Sequence, residues 1–372
     1  RHAFQEFLSR FAIPSVFSYL SIDLLPFDHP LAIGRLGTKG DRPGNFCVQN
    51  ADLVISLGCR LSVPLTGFEF DKFARDAELI VIDVDPEEHQ KGTVEIDLFI
   101  ESDVRMFFES ALGQENTSGW SDWIATCNRW KSMWPVHHGA YSEQRPLNLY
   151  ESVESLHRAA PDGTHFVTDA GSAYYVPSQA LKIRCSQRYH TSGAQADMGF
   201  TLPAAIGVCM AFPSELVVGI TGDGSFQMNI QELQVLVQLQ PNLKLVVWNN
   251  DGYLSIKATQ TKFFDKRYAG SGPASGVTMP STKKICEAYG LPYRYAADPA
   301  TQDLVFRESF AKLGPVIIEL SCRPEQEIIP NVSALKRDDG SLVSKPLEDM
   351  YPFLDRDEFL QEMIVSPIDG GE

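Results

Sequence analysis

Short runs of branched apolar residues, each ending near glycine, asparagine or an acid and separated by helical patterns, recur along this 372-residue chain. Such runs predict strands that are buried on both faces of a parallel sheet, because the intervening helices must cover both faces. We therefore predict an α/β fold made of two doubly wound parallel-sheet domains. The predicted strands lie at 52–58, 79–85, 164–169, 216–220, 243–248 and 316–320, and the clearest helical patterns lie at 149–160 and 229–239.

Domain boundaries are predicted where this alternation stops. We expect a first domain over 1–112, a polar interdomain linker over 113–146, a second domain over 147–330 and a tail over 331–372. Proline and polar residues in the tail favour extended chain that wraps over the second domain. The linker holds four tryptophans, which favour a helix packed across a domain surface over a cofactor role: Trp120, Trp123, Trp130 and Trp134.

Charge and cysteine usage exclude several classes of partner. A net charge of −16 repels nucleic acid and anionic lipid surfaces, and no apolar run reaches the roughly 20 residues of a membrane span. The seven cysteines are scattered singly, which argues against a disulfide framework or a zinc site and favours a cytoplasmic protein with reduced thiols. The chain starts at Arg1 within a helical pattern, so we expect it to be a fragment of a longer protein.

Two motifs at the ends of neighbouring predicted strands carry the chemistry. The strand at 216–220 runs into Gly222-Asp223-Gly224-Ser225, and the strand at 243–248 runs into Asn249-Asn250-Asp251-Gly252. Glycines let backbone N–H groups approach phosphate oxygens, while a carboxylate and an amide oxygen suit Mg²⁺. A lone Gly-Asp-Gly is common in ordinary turns, but the pair of motifs in this order is far more specific.

This order of strand, Gly-Asp-Gly-Ser, helix, strand and Asn-Asn-Asp-Gly resembles the signature of thiamine-diphosphate (ThDP) dependent enzymes of the acetolactate synthase and pyruvate decarboxylase superfamily. The resemblance implies ThDP and Mg²⁺ as cofactors, with Asp223, Asn250 and the Gly252 carbonyl as the metal ligands. It also implies cofactor contacts around these ligands, from Gly222, Gly224, Ser225, Tyr253 and Leu254.

Two upstream segments agree with this resemblance. The stretch 190–207 is similar to the acetolactate synthase segment in which a large apolar residue, here Met198, props ThDP into its bent shape. The resemblance implies that the Met198 backbone N–H and the Ala196 carbonyl bind the aminopyrimidine ring of ThDP. Without the motif around it, Met198 would be interpreted as a residue that fills a gap in the core. The loop Asp169-Ala170-Gly171-Ser172 resembles the family's diphosphate loop, with Gly171 and Ser172 as contacts, although Ser172 alone equally suits a helix N-cap.

The first domain resembles the middle domain of acetolactate synthases in the segments 34–40, 50–60 and 81–86, so the resemblance runs from about Phe4 to the tail. Members of the family have a pyrimidine-binding domain ahead of the middle domain, and it contributes the glutamate that activates the cofactor. The resemblance implies that this glutamate lies outside the present chain. It also implies sites shared between two subunits, and hence a homodimer or homotetramer.

The chain departs from the family at two places. Flavin-binding members have an Arg-Phe-Asp-Asp-Arg type segment where this chain reads Arg60-Leu61-Ser62-Val63-Pro64, which disfavours FAD. The segment 253–257 is similar to pyruvate decarboxylases, but Lys257 replaces their acid, and Thr259 stands where the synthases have a tryptophan. We take Ile256 and Lys257 as candidate catalytic residues beside the substrate; the alternative for Lys257 is a solvated surface lysine.

The resulting function is an acetolactate synthase-like enzyme that decarboxylates a 2-oxo acid and passes the remaining unit to an acceptor. One alternative is a simple 2-oxo-acid decarboxylase. A different class of alternative is a ThDP-binding protein without catalysis, or a nucleotide-binding protein; the absence of G-x-G-x-x-G after a first strand disfavours the nucleotide version.

Overall fold

The computed structural model describes residues 1–115, 119–193, 195–336 and 342–368 of the chain. These residues form two compact units, the first made of Arg1–Val136 with Ile329–Glu372 and the second of His137–Ile328. No described helix has both the length and the apolar character needed to cross a membrane.

The first unit begins with parallel strands and helices in alternation, as the apolar runs predict. β1 pairs with β2, and β3, β4 and β5 form a second parallel sheet in that order, so the strands predicted at 52–58 and 79–85 are confirmed. The elements are α1 (His2–Phe11), β1 (Ser15–Phe17), β2 (Ala32–Arg35), α2 (Arg42–Gln49), β3 (Leu53–Leu57), α3 (Val63–Thr66), β4 (Glu78–Asp83), β5 (Leu98–Glu101), α4 (Val104–Leu112) and α5 (Ser121–Met133).

Helix α5 shows that most of the predicted linker belongs to the first unit. Trp130 is fully buried, with its ring centroid 5.6 Å from that of Phe46, and both rings pack in one core with Trp134 and Phe359. Trp130 and Trp134 therefore pack against the first unit, as expected for a helix on a domain surface, whereas Trp120 is 48% exposed. The division between units falls after Val136 instead of after residue 112. Residues 116–118 of the predicted linker lie outside the described residues.

The second unit alternates strands and helices throughout. The four predicted strands form at 165–168, 217–222, 243–249 and 316–321, whereas the predicted helix at 229–239 starts as a 3₁₀ segment, Gln227–Glu232, because Asn229 has a non-helical backbone. The elements are α6 (Leu149–Ala159), β6 (His165–Thr168), α7 (Ser172–Ala180), β7 (Arg188–Thr191), α8 (Thr201–Ala211), β8 (Val217–Gly222), α9 (Asp223–Phe226), α10 (Leu233–Leu239), β9 (Leu243–Asn249), α11 (Leu254–Phe263), α12 (Thr282–Tyr289), β10 (Tyr293–Ala296), α13 (Pro299–Phe310) and β11 (Val316–Ser321).

The described strands of this unit form one parallel sheet of six strands in the order β10-β11-β9-β8-β6-β7. Leu202 of α8, Leu236 of α10 and Cys286 of α12 share a core on one face. On the other face, the Trp248 indole N–H donates to Ser152 Oγ of α6 at 3.0 Å. Since β7 and β8 lie on opposite sides of β6, the chain reverses its direction of winding there. Ligand sites of such sheets lie at this switch point, outside the carboxyl ends of the strands.

The tail adds short strands and one helix to the first unit. These are β12 (Asn331–Val332), β13 (Ala334–Lys336), β14 (Leu342–Ser344), β15 (Met350–Tyr351) and α14 (Arg356–Glu362). Glu348 is buried, with its Oε1 2.8 Å from Arg75 Nη1 and its Oε2 accepting from Gln49 Nε2 at 2.7 Å. This grouping differs from the expected extended wrap over the second domain. The tail joins the first unit through such long-range polar contacts and through apolar residues, Leu347 and Phe359, that pack in its cores, and no local pattern encodes these contacts.

Candidate functional site

The candidate site lies where three loops leave the carboxyl ends of β6, β8 and β9. β8 is hydrogen-bonded to β6 on one side and to β9 on the other, so the three loops are neighbours. These loops and the first residues of the helices that follow them contain most of the residues that the sequence predicts for the cofactor site: Asp169–Ser172, Gly222–Ser225 and Asn250–Leu254.

Asp223 joins two of these loops through its carboxylate. Oδ1 accepts from the Gly224 backbone N–H at 2.8 Å, and Oδ2 accepts from the Gly252 backbone N–H at 3.0 Å. The side chain is buried, which raises its pKa to about 6, while the backbone hydrogen bonds act in the opposite direction. Each oxygen keeps a further lone pair for a cation, so the carboxylate is held in place and can still bind a metal.

Asn250 presents a buried oxygen without a partner. The residue is 4% exposed, and its Oδ1 accepts no hydrogen bond from the residues that the structure describes. Such groups in native proteins are almost always satisfied, so a buried amide oxygen without a protein partner in this loop has the chemistry of a cation ligand. The Asp223 carboxylate, the Asn250 amide oxygen and the Gly252 carbonyl are the kinds of hard oxygen donor that Mg²⁺ prefers, and their role as its ligands stays a prediction.

The glycines of the two motifs differ in what surrounds the position of a Cβ atom. A Cβ on Gly224 would stand 2.3 Å from Tyr253 Cε1, so the tyrosine ring occupies that space. A Cβ on Gly252 would stand 2.4 Å from the Ser271 carbonyl oxygen, and its φ of +130° is one that side chains disfavour. Gly222 differs, because no described atom lies within 4 Å of its Cβ position. That open space fits the approach of a diphosphate to the backbone.

The Ser225 hydroxyl is committed to the protein itself. It donates to Asp169 Oδ2 at 2.8 Å and accepts from the Gly199 backbone N–H at 2.8 Å, while Thr221 Oγ1 donates to the same Asp169 oxygen at 2.9 Å. Because the hydroxyl is already hydrogen-bonded within the protein, the predicted contact of Ser225 with the cofactor would be made by its backbone N–H.

Asp169 is a central residue that the sequence reading leaves without a role. Its side chain is fully buried, and burial raises the pKa of the carboxyl while hydrogen bonds from Ser225, Ala170 and Thr221 lower it. The carboxylate ties the end of β6 to the end of β8. An acid directly after an apolar run was the available signal, since strand-end polar residues converge in this fold class.

Gly171 and Ser172 form the start of α7. Gly171 has φ +56° and is the N-cap, and Ser172 is the first helical residue, so the alternative of Ser172 as the N-cap is wrong. No side chain makes a capping hydrogen bond to α7 in the described structure. The first N–H groups of the helix have no partner within the helix, as in anion-binding helix termini.

Met198 lies in a turn that is anchored to the Gly-Asp-Gly loop. Gly199 donates to Ser225 Oγ, and the Gly199 carbonyl accepts from Asn229 Nδ2 at 2.8 Å. The Met198 side chain is 40% exposed, which excludes the alternative of a core gap filler in this unit. Ala196 precedes it with φ +53°, and the neighbouring Ala194 lies outside the described residues. The wedge and aminopyrimidine contacts of Met198 and Ala196 stay predictions.

Ile256 and Lys257 lie on the first turn of α11. Ile256 is 48% exposed, whereas Lys257 is partly buried and donates from Nζ to the Asp251 carbonyl at 3.3 Å. Its Cε also lies 2.7 Å from the Cβ position of Gly272. Lys257 therefore contacts both the loop at 250–254, called the metal loop because it holds two of the predicted Mg²⁺ ligands, and the segment around Gly272, and it is not a freely solvated lysine. Their substrate roles stay predictions.

A glycine- and serine-rich segment, 270–276, supports the metal loop and is missed by the sequence reading. The Tyr253 backbone N–H donates to the Ser271 carbonyl at 3.0 Å. Ser275 Oγ accepts from the N–H groups of Ser271 and Gly272 at 2.9 and 3.0 Å, which fixes the turn. The turn residues were visible in the sequence, but nothing local shows against which loop such a turn packs.

Comparison with known families agrees with this site. The description "Thiamine pyrophosphate enzyme, central domain" matches residues 1–111, and "Thiamine pyrophosphate enzyme, C-terminal TPP binding domain" matches residues 169–320. Thiamine pyrophosphate (TPP) is another name for ThDP. The two matches together cover most of the chain, and the chain belongs to the thiamine pyrophosphate-dependent enzyme family.

Among individual proteins, the chain is similar to acetolactate synthase large subunits. It is 32% identical to that of Cyanidium caldarium over 298 residues, which are 78% of this chain and 50% of the relative. It is 28% identical to that of Porphyra purpurea over 335 residues, 88% of this chain and 55% of the relative. With the isozyme 3 large subunit of Escherichia coli the identity is 30% over 293 residues, 77% and 50% respectively. The chain thus spans about half the length of the curated relatives it matches.

Proposed function

We propose that the protein is a ThDP- and Mg²⁺-dependent acetolactate synthase-like enzyme that decarboxylates a 2-oxo acid and joins the remaining unit to an acceptor. The observation that carries the proposal is the buried, unpartnered Asn250 Oδ1 in the same loop as Gly252, whose backbone N–H donates to the Asp223 carboxylate. Both lie at the switch point of a parallel sheet, in a chain whose relatives are named acetolactate synthases.

The residues of this chain hold and orient the cofactor in the proposal. Asp223, Asn250 and the Gly252 carbonyl hold Mg²⁺, which in turn holds the diphosphate. The N-terminus of α7, at Gly171 and Ser172, binds the diphosphate from the β6 side. When bound, ThDP supplies the nucleophilic carbon and the electron sink that decarboxylation requires.

The turn at 196–199 fixes the other end of the cofactor. The Ala196 carbonyl and the Met198 N–H bind the aminopyrimidine, and the Met198 side chain enforces the bend. Because Gly199 is hydrogen-bonded to Ser225, this turn is held in register with the metal loop. Ile256 and Lys257 face the substrate from α11, and the Lys257 charge suits a 2-oxo acid carboxylate.

Two further features belong to the proposal. The activating glutamate comes from a pyrimidine-binding domain, and the enzyme is a homodimer or homotetramer with sites shared between subunits. FAD stays outside the proposal because Arg60-Leu61-Ser62-Val63-Pro64 departs from the flavin-binding segment. A simple 2-oxo-acid decarboxylase is the second candidate, favoured by the likeness of 253–257 to pyruvate decarboxylases.

The test is product analysis with the full-length protein, pyruvate, ThDP and Mg²⁺. We expect acetolactate; acetaldehyde alone would support the decarboxylase, and ThDP binding without turnover of any 2-oxo acid would support the non-catalytic alternative. Asp223→Ala should abolish Mg²⁺-dependent ThDP binding measured by calorimetry, since it removes the charged ligand. Asp251→Asn is the control, because it removes an adjacent exposed carboxylate and should keep wild-type affinity. Unchanged ThDP affinity in Asp223→Ala would contradict the metal assignment.

The fold of Asp223→Ala must be checked alongside its binding. The substitution leaves the Gly252 N–H without its acceptor, which costs about 1–3 kcal/mol of stability. Thermal melting of the unliganded protein separates this loss from the loss of metal binding.

A further inference from the structure

We propose that the Ser255 hydroxyl is a direct hydrogen-bond donor to the cofactor diphosphate, a contact that rests on the proposed function and adds a side-chain donor to its backbone cradle. Ser255 is the second residue of α11, directly after the metal loop. Its Oγ is buried and has no hydrogen-bond partner among the described residues. A buried hydroxyl in that state is unfavourable, so native proteins pair it with protein, water or ligand.

The position of the hydroxyl indicates what it pairs with. Ser255 Oγ lies 3.0 Å from the place where a Cβ on Gly171 would stand. Gly171 is the N-cap of α7, a nine-residue helix to which no described side chain makes a capping bond. The hydroxyl is therefore aimed across the start of a helix, where N–H groups and the helix dipole favour an anion.

Other buried hydroxyls of the site already have hydrogen-bond partners within the protein. Thr221 and Ser225 both donate to Asp169, so they hold the loops together whether or not a ligand is bound. Gln302 and Ser309 also have unpartnered buried atoms, but both lie on α13 and not on a loop at the strand ends. Only Ser255 Oγ and Asn250 Oδ1, within the described residues, combine this lack of a partner with the loop that follows β9. The first is a donor and suits a phosphate oxygen; the second is an acceptor and suits the cation.

The experiment compares Ser255→Ala with wild type by calorimetry, using two probes, Mg²⁺ with ThDP and Mg²⁺ with inorganic pyrophosphate. We expect about tenfold weaker binding of both probes, as for the loss of one hydrogen bond to a charged group. Thr259→Ala is the matched control: it removes an exposed hydroxyl one turn along α11, bonded at 3.1 Å to the Ser255 carbonyl, and should bind like wild type. Binding by Ser255→Ala within twofold of wild type would overturn the inference.

Thermal melting gives an independent readout. Without ligand, Ser255→Ala should be at least as stable as wild type, because it removes an unsatisfied buried hydroxyl; a lower melting temperature would show a protein partner and overturn the inference. With saturating Mg²⁺ and pyrophosphate, its melting temperature should rise less than that of wild type. Failure of the cofactor site on which the inference rests looks different, since wild type itself would then bind neither probe, and the product analysis above tests catalysis separately.

Discussion

Replacing Gly252 by alanine tests whether the metal loop is held by backbone packing. The new Cβ would meet the Ser271 carbonyl oxygen at 2.4 Å and Gly272 Cα at 3.0 Å, both backbone atoms that cannot rotate away. The backbone φ of +130° adds conformational strain. Strain of this kind costs about 1–3 kcal/mol and overpacking a further 1–3 kcal/mol, so we expect a loss of about 2–6 kcal/mol in unfolding free energy.

Gly270→Ala is the matched control for this substitution. It lies in the same supporting segment, has φ +61°, and no described atom is within 4 Å of its Cβ position. It should therefore lose only the roughly 1–2 kcal/mol of a left-handed alanine. Chemical denaturation followed by circular dichroism measures both variants, and hydrogen exchange of the Tyr253 amide, which donates to Ser271, reports the loop directly. Equal losses in the two variants, within about 1 kcal/mol, would refute the packing argument.

Two other expectations concern the cofactor and the core. Met198→Ala should keep ThDP affinity within a few-fold of wild type but slow exchange of the cofactor C2 proton in the full-length enzyme. The reason is that the exposed Met198 side chain is predicted to hold the cofactor in its bent shape. Exchange at the wild-type rate would assign that role to another residue. Lys244 is fully buried and donates to Asn242 Oδ1 and the Gly314 carbonyl, and burial lowers its pKa from 10.5 to about 8. The unfolded chain then binds more protons between pH 8 and 10.5, so stability should rise with pH by up to about 3 kcal/mol in this window. Lys244→Met should lack that rise in denaturation curves, and parallel pH profiles of the two proteins would contradict the assignment.

The central strands of the second unit were predictable because a strand that is buried on both faces has a nearly continuous run of apolar residues in its sequence. Residues 243–249 illustrate this, with Leu243 to Trp248 all buried in β9. The edge strands β7 and β10 escaped the sequence reading. The two strands, Arg188–Thr191 and Tyr293–Ala296, mix polar with apolar residues and bury only one residue each, since an edge strand has a neighbour on one side only.

The position of the candidate metal site was predictable from the sequence because each of its two motifs is local; the role of these residues as metal ligands stays a prediction. Gly-Asp-Gly and Asn-Asn-Asp-Gly each predict a turn that carries an oxygen donor, and the sheet topology brings the two turns together. The residues that hold these two turns in place were not predictable. The Ser271 carbonyl and the Asp169 carboxylate act through contacts with residues 18 and 56 positions away, Tyr253 and Ser225, and no periodicity encodes such distant pairs.

The polar groups of the site divide into two sets with different physical roles. Asp169, Thr221 and Ser225 satisfy one another, so they fix the loops after β6 and β8 without help from a ligand. Asn250 Oδ1 and Ser255 Oγ are buried but have no partner in the described part of the chain, which lowers the stability of the unliganded protein. An unsatisfied acceptor in the loop after β9 and an unsatisfied donor at the start of α11 keep their full hydrogen-bonding capacity for a ligand. A ligand with both a cation and an anionic oxygen would pair with both groups, and the free energy gained by pairing them would add to its affinity.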